Sequence, residues 1–127
     1  MWYLDTSAFL KLVVIEEESE ALRAWFLEHT PVWSSQLLLT EAMRSAGKLG
    51  IDSNLVLDAL ESVSLVLPSV ETFFTAGELG PAALRSLDAL HLATALEMGA
   101  DLTGLVTYDE RLAEASRGVG LAVVTPV

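Results

Sequence analysis

The side chains of this sequence that could do chemistry are carboxylates, and four stand out by position: Asp5, Glu41, Asp88 and Asp109. Carboxylates that meet in a water-poor cleft repel one another, and proteins tolerate this chiefly where a divalent cation neutralises them. Because there is no cysteine and there are only two histidines, oxygen ligands and a hard cation, Mg²⁺ or Mn²⁺, are indicated. Such a cation activates water for in-line attack on phosphorus, so the pattern indicates phosphodiester hydrolysis.

Each of these acids also has an ordinary structural interpretation. Asp5 and Asp109 could be helix N-caps, and Asp88 could offset a helix dipole from the first turn. Glu41 could pair one turn along its helix, with Arg44 or the serine that follows it. Glu41 nevertheless interrupts an apolar run on a helix that is otherwise expected to be buried. It is the joint pattern of the four that favours a shared site.

The elements that must position the acids alternate between strands and helices. Five segments of strand length are predicted: Met1–Leu4, Val32–Ser34, Ser64–Leu67, Gly104–Thr107 and Leu121–Val124. Continuous apolar strands separated by helices indicate a parallel sheet covered on both faces, an α/β three-layer sandwich. In such a sheet the ligand site lies beyond the carboxyl ends of the strands. Asp5 and Asp109 follow the first and fourth strands and are therefore expected at that edge.

Helical periodicity fills the intervals between the strands. Helices are predicted over Thr6–Val14, Glu17–Glu28, the segment from an N-cap at Ser35 to Gly50, Asp52–Ser62, Val70–Leu79, Ala83–Met98 and Asp109–Arg117. No linker, repeat or low-complexity stretch interrupts this pattern. Residues 1–127 are therefore expected to form one domain, with the chemistry on its single sheet.

The net charge of −11 comes from eighteen acidic against seven basic residues. It is the opposite of what a protein that binds nucleic acid over its whole surface would carry. It is compatible with simple solubility, with a basic partner protein, or with acids gathered at a cation site. The chain opens on a strand with no basic segment before it, and its apolar stretches are too short for a bilayer. A cytoplasmic protein with no membrane association is expected.

Four motifs resemble those of PIN domains, and they occur in family order over essentially the whole chain. They are Tyr3–Leu12, Leu39–Arg44, Leu87–Ala95 and Val106–Asp109, and each contains one of the four acids. Because the chain is short and contains the sequence Asp-Ala-Leu-His-Leu-Ala-Thr-Ala, it most resembles the VapC-type toxins of VapBC toxin–antitoxin systems. One PIN motif alone would be a weak signal, whereas all four at these separations are specific.

The resemblance implies a sheet order of 3-2-1-4-5 and a metal-dependent ribonuclease that hydrolyses RNA with metal-activated water. It implies one or two magnesium or manganese ions held by Asp5, Asp88 and Asp109, with Glu41 as a further ligand or as a base that acts through water. It also implies a homodimer and a cognate antitoxin, whose flexible segment covers the cleft and presents an arginine to the carboxylates.

Other residues near the motifs are candidates for supporting roles. Hydroxyls that could hydrogen-bond metal ligands or their waters, or merely cap helices, are those of Thr6, Ser7 and Thr107. Basic side chains that could contact substrate phosphates, or simply lie on the surface, are Lys11, Arg44, Lys48 and Arg85. His91 is left out of the predicted site, because a lone histidine on an apolar helix is more often satisfied locally.

Two alternative functions remain open on the sequence. One is a PIN-fold nuclease that processes RNA without an antitoxin, which the same four acids would serve equally well. The other, from a different class, is a phosphoacceptor receiver domain used in signalling. Receiver domains carry an acceptor aspartate after the third strand and a lysine late in the chain. Here the third strand ends in Leu67-Pro68 and no lysine follows Lys48, which disfavours that alternative.

Overall fold

A computed structural model describes all residues from 1 to 127. Five strands form one parallel sheet in the order β3-β2-β1-β4-β5, which confirms the predicted α/β sandwich and its strand order. The strands are β1 Trp2–Leu4, β2 Val32–Ser35, β3 Val63–Val66, β4 Gly104–Val106 and β5 Val123–Val124. The helices are α1 Thr6–Val13, α2 Ser19–His29, α3 Leu37–Leu49, α4 Ser53–Leu60, α5 Val70–Glu78, α6 Ser86–Leu96 and α7 Glu110–Gly118, with a 3₁₀ turn at Gly99–Asp101.

The central strand β1 lies between β2 and β4, and the strand order reverses there. Leu4 is in register with Val106 of β4, and the backbone N–H of Asp5 extends the pairing to the Val106 carbonyl at 3.2 Å. The chain leaves β1 into α1 and leaves β4 towards α7 at the same edge of the sheet. Loops at such a reversal part from each other and leave a crevice beyond the strand ends.

Alternation along β1 sends successive side chains to opposite faces of the sheet. Leu4 packs in the larger apolar cluster, with Phe9 of α1 and Leu38 of α3. Tyr3 packs on the other face, in the cluster that contains Leu92 of α6. Both Tyr3 and Leu4 are fully buried. The helix that carries Asp88 therefore covers the face to which Tyr3 points, and the helix that carries Glu41 covers the other.

Several predicted boundaries differ from the structure by one to three residues, and at α6, α3 and β5 the local structure shows why. The helix predicted from Ala83 begins only at Ser86, because a turn occupies residues 82–84 after Gly80-Pro81, and it ends at Leu96. Ser35 is not the N-cap of α3 but the last residue of β2, although its Oγ still accepts the Leu37 N–H at 3.2 Å. The last strand begins at Val123, since Leu121 still bonds back to the end of α7.

None of the helices has the length and apolar character needed to cross a membrane. The longest, α3, has 13 residues.

Gly104, the first residue of β4, is the one glycine of the chain at which an added Cβ would meet other atoms within 4 Å. A Cβ at this position would lie 2.7 Å from the Trp2 ring and 2.8 Å from the carbonyl oxygen of Ala122. The second neighbour is backbone of the segment that leads into β5 and cannot rotate away. The first residue of β4 must therefore be glycine for β5 to pair closely.

We expect Gly104→Ala to destabilise the fold by about 1–3 kcal/mol, the usual effect of forcing a methyl group into a filled core, which lowers Tm by about 4–10 °C. The matched control is Gly47→Ala in α3, where a Cβ meets nothing within 4 Å. It should raise stability by about 0.5–1 kcal/mol, because alanine is the better helix former. Thermal unfolding checks both variants, and equal Tm values would contradict the packing argument.

Candidate active site

Asp5 occupies the first position beyond β1 and caps α1. Its Oδ1 accepts the Ala8 N–H at 3.0 Å and the Ser7 hydroxyl at 2.8 Å, and its Oδ2 accepts the Thr107 hydroxyl at 2.7 Å. The side chain is almost fully enclosed, with 3% of the residue exposed. Burial raises the pKa of Asp5 above its ordinary value, and the hydrogen bonds from Thr107, Ala8 and Ser7 oppose that effect. Asp5 is thus both an N-cap and a buried acid at the sheet edge.

Asp109 is connected to Asp5 through Thr107. The Thr107 hydroxyl donates to Asp5 and accepts the backbone N–H of Asp109 at 3.0 Å. Asp109 itself caps α7, and its Oδ1 accepts the Leu112 N–H at 3.0 Å. Ser7 adds a second link, because its oxygen accepts the Tyr108 N–H at 2.9 Å. The two predicted strand-end acids are therefore positioned by one hydrogen-bonded junction between β1 and β4.

Asp88 lies in the first turn of α6, as predicted, and is half-buried. Its pKa is raised, first by burial and next by the negative charge of Asp109. The positive charge of Arg85 lowers it, and the negative charge of Glu41 raises it further. Asp88 therefore lies within electrostatic reach of two other predicted acids, Asp109 and Glu41.

Glu41 projects from the middle of α3, with 19% of its side chain exposed. Its Oε1 lies 2.6 Å from His91 Nε2, and it forms no ion pair with Arg44, the partner that the ordinary interpretation required. His91 is 1% exposed, and its other ring nitrogen, Nδ1, lies 2.7 Å from the Tyr3 hydroxyl. His91 was not predicted to be part of the site, although its position one turn after Asp88, inside the third motif, was a signal that could have included it.

The three hydroxyls that were predicted to support the site lie near two of the acids, Asp5 and Glu41. Ser7 and Thr107 contact the carboxylate of Asp5, whereas Thr6 Oγ1 lies 3.2 Å from His91 Nε2, next to Glu41. Each of them therefore contacts a predicted acid or the neighbour of one. None of the three is only a helix cap.

The predicted phosphate-binding residues have different surroundings. Lys11 already forms ion pairs with two acids, since its Nζ lies 2.8 Å from Glu18 and 3.1 Å from Glu16. The same Nζ lies over the Tyr108 ring. Arg85 immediately precedes α6 and is exposed, and its charge acts on Asp88. The other two, Arg44 and Lys48, are exposed on α3.

A cleft of about 630 Å³ opens beside Asp109 and Thr107, lined on its rim by Lys11 and Arg117. A second cleft of about 550 Å³, between the turn before α6 and one side of α7, contains none of the four acids. Of these two clefts, only the first is lined by one of the four acids, Asp109. It offers room for a substrate next to that residue.

The four acids do not form a preassembled cage. No three acidic or imidazole side chains lie close enough to hold a metal ion as they are placed. Their chemistry fits a hard cation all the same, since every donor is a carboxylate oxygen and neighbouring charges raise the pKa of Asp88. A cation bound here would relieve that repulsion and draw the side chains together.

Comparison with known proteins gives relatives over the whole chain. Residues 2–118 match the PIN domain family. The chain is 44% identical to ribonuclease VapC46 of Mycobacterium tuberculosis over 131 residues, which cover 98% of this chain and 96% of that protein. It is 42% identical to ribonuclease VapC35 of M. tuberculosis, over 99% of this chain and 97% of that protein.

Two solved structures share the fold. M. tuberculosis VapC20, described as a sarcin–ricin loop cleaving toxin, superposes with a TM-score of 0.79 at 15% identity, over 99% of this chain and 100% of that one. A toxin–antitoxin complex from Klebsiella pneumoniae gives a TM-score of 0.73 at 24% identity, over 100% of this chain and 98% of that one. With the family match and the close relatives, these likenesses lead to one conclusion. The chain belongs to the PIN domain family and, within it, to the VapC-type ribonuclease toxins.

Proposed function

We propose that this protein is an endoribonuclease that requires Mg²⁺ or Mn²⁺, hydrolyses RNA phosphodiester bonds with water as the nucleophile, and acts as the toxin of a type II toxin–antitoxin pair. The observation that carries the proposal is the junction at the sheet edge, where the Thr107 hydroxyl joins the Asp5 carboxylate to the backbone of Asp109. The charges of Asp109 and Glu41 act on Asp88 beside it. The relatives named ribonuclease VapC support the reaction class. The alternative of a receiver domain is wrong, because the whole chain matches PIN proteins instead.

In this proposal Asp5, Asp88 and Asp109 are the metal ligands, and Glu41 is a further ligand or a base that acts through water. When bound, the cation supplies an activated water and neutralises charge on the phosphate. The protein supplies orientation. Ser7 and Thr107 fix the Asp5 carboxylate, and Thr107 also fixes the backbone at Asp109.

RNA would approach along the cleft beside Asp109. Arg85 is the best placed of the predicted phosphate ligands, because its charge already acts on Asp88. Lys11 would have to leave Glu16 and Glu18 before it could bind a phosphate. We assign Arg44 and Lys48 the lesser role of attracting RNA to α3, because both are exposed on a strongly acidic protein.

We propose a cognate antitoxin as the protein partner, with a homodimer as the assembled form and the cytoplasm as the site of action. The net charge of −11 favours a basic partner segment, and an arginine presented to the four acids would occupy the place of the cation. A solved complex with this fold contains a toxin and its antitoxin. Co-purification of the chain with the product of a short neighbouring reading frame tests the partner. Failure to arrest growth when the chain is expressed alone would favour an RNA-processing nuclease instead.

We expect Asp88→Asn to lower the rate of RNA cleavage by well over about 10-fold, since even indirect partners of a metal site are worth 10–100-fold. The far-UV circular dichroism spectrum should not change, and EDTA should abolish cleavage by the parent protein. The matched control is Asp58→Asn. Asp58 is exposed on α4, which leads to the amino end of β3, whereas the predicted site lies beyond the carboxyl ends of the strands. A variant at Asp88 that keeps more than about a tenth of the parent rate would contradict the assignment.

The raised pKa of Asp88 also predicts a change in stability. An acid with a raised folded-state pKa favours folding below its ordinary pKa, and that contribution is lost as the pH rises through the folded-state value. At pH 7 the ionised Asp88 therefore destabilises the metal-free fold. Allowing for solvent screening, Asp88→Asn should stabilise it by on the order of 1 kcal/mol and raise Tm by about 4 °C.

A comparison of the parent with Asp88→Asn also distinguishes two roles for Asp88, a ligand in a cation site or a charge at the end of a helix. Mn²⁺ should raise the Tm of the parent more than that of Asp88→Asn, and sodium chloride should partly mimic it in the parent only. The advantage of the variant should shrink as the pH falls and vanish below the ordinary pKa of aspartate, where Asp88 is neutral in both the folded and the unfolded state. If Asp88→Asn instead lowers Tm and leaves the Mn²⁺ response unchanged, Asp88 serves only the dipole of α6.

A further inference from the structure

A chain of three buried or half-buried side chains crosses the site from the sheet to α3. The Tyr3 hydroxyl lies 2.7 Å from His91 Nδ1, and His91 Nε2 lies 2.6 Å from Glu41 Oε1. The three residues come from β1, α6 and α3. Tyr3 and His91 are essentially inaccessible, whereas Glu41 is partly exposed to the site. The nuclease mechanism proposed above makes no use of the two buried members.

The chemistry of the three side chains indicates which atom donates the hydrogen in each of these two hydrogen bonds. An ionised carboxylate only accepts, so the hydrogen between Glu41 and His91 must lie on Nε2. On the other side, the hydroxyl hydrogens of Ser34 and Thr94, which neighbour Tyr3, are committed to the carbonyls of Leu4 and Leu90 at 2.6 and 2.7 Å. The backbone N–H of Ser35 also faces the Tyr3 oxygen, but it is a donor and cannot take the Tyr3 hydrogen. A buried O–H without an acceptor is costly, and His91 Nδ1 lies 2.7 Å away. Tyr3 therefore donates to Nδ1.

We propose that His91 is a positioning residue for Glu41, fixed by Tyr3 in the tautomer that carries its hydrogen on Nε2. The imidazole N–H anchors Glu41 Oε1, which leaves Oε2 as the oxygen that faces a cation or its bound water. Thr6 Oγ1, 3.2 Å from the same nitrogen, takes a weaker share of that hydrogen. The role of Oε2 rests on the proposed nuclease function, whereas the tautomer does not.

Two further observations support this assignment. Burial raises the pKa of Tyr3 well above its ordinary value, so its hydroxyl keeps the hydrogen that it donates. The Tyr3 and His91 rings also meet edge to face, with centroids 5.9 Å apart, which restrains rotation of the imidazole. Orientation of a carboxylate by a buried histidine is analogous to the partners that orient metal ligands elsewhere in proteins.

The second histidine of the chain provides an internal reference. His29 Nδ1 lies 2.6 Å from the backbone carbonyl oxygen of Trp25. A carbonyl only accepts, so His29 must carry a hydrogen on Nδ1, the opposite arrangement to that proposed for His91. The two residues are therefore distinguishable in one spectrum.

The first test is a ¹⁵N spectrum of the two imidazole rings in the metal-free parent at neutral pH, assigned with His29→Gln. We expect His91 to show a protonated Nε2 and an unprotonated Nδ1. An unprotonated Nε2 would place the hydrogen on Glu41, and protonation of both nitrogens would mean that Tyr3 accepts rather than donates. Either result would overturn the proposed tautomer. This measurement needs no substrate, no metal and no folded variant at His91.

The second test uses two amides that mimic different ring nitrogens. The His91→Gln side chain can place its N–H₂ where Nε2 lies, whereas that of His91→Asn reaches only to Nδ1. We expect Gln to stay within a few-fold of the parent in Mn²⁺ affinity and RNA cleavage, and Asn to lose about 10–100-fold in both. If the two variants behave alike, in either direction, the Nε2 donor does not position Glu41. If the parent itself cleaves no RNA, the proposed function fails, while the spectrum still decides the tautomer.

Discussion

The buried carboxylate of Asp5 is the constraint on which the rest of the site depends. An ionised group in so enclosed a position is costly unless hydrogen bonds surround it. The donors here come from both sides of the sheet reversal, Ser7 and Ala8 from α1 and Thr107 from the end of β4. Satisfying one acid therefore joins β1 to β4, and the same Thr107 oxygen then fixes the backbone of Asp109.

Side chains along β1 alternate between the two faces of the sheet, and this alternation determines where the helices that carry Glu41 and Asp88 pack. Leu4 and Tyr3 point to opposite faces, so α3 packs on one face and α6 on the other. A slip of one residue would exchange the two faces and remove Tyr3 from His91. The bond between Glu41 and His91 then connects α3 to α6 around the edge of the sheet. The position of the half-buried Glu41 thus depends on the register of a buried strand.

The positions of the four acids were predictable because each lies in a contiguous motif that resembles a PIN motif, and the same resemblance implied the strand order. The partner of Glu41 was not, since it lies 50 residues away and no pattern along α3 indicates it. The start of α6 was misplaced because alanine and leucine favour a helix, whereas the turn after Gly80-Pro81 prevents one until Ser86. The ion pairs of Lys11 with Glu16 and Glu18 were not predictable either, because they depend on the turn after Val13 that brings these two acids back to Lys11.

The most direct test of the shared cation site is the anomalous difference density of crystals of this protein soaked in Mn²⁺. The account predicts a peak beyond the carboxyl ends of β1 and β4, coordinated by Asp5 together with Asp88 or Asp109, and an inward movement of those side chains from their present separation. Crystals that show manganese only elsewhere, or none, with Asp88 and Asp109 in unchanged positions, would contradict it.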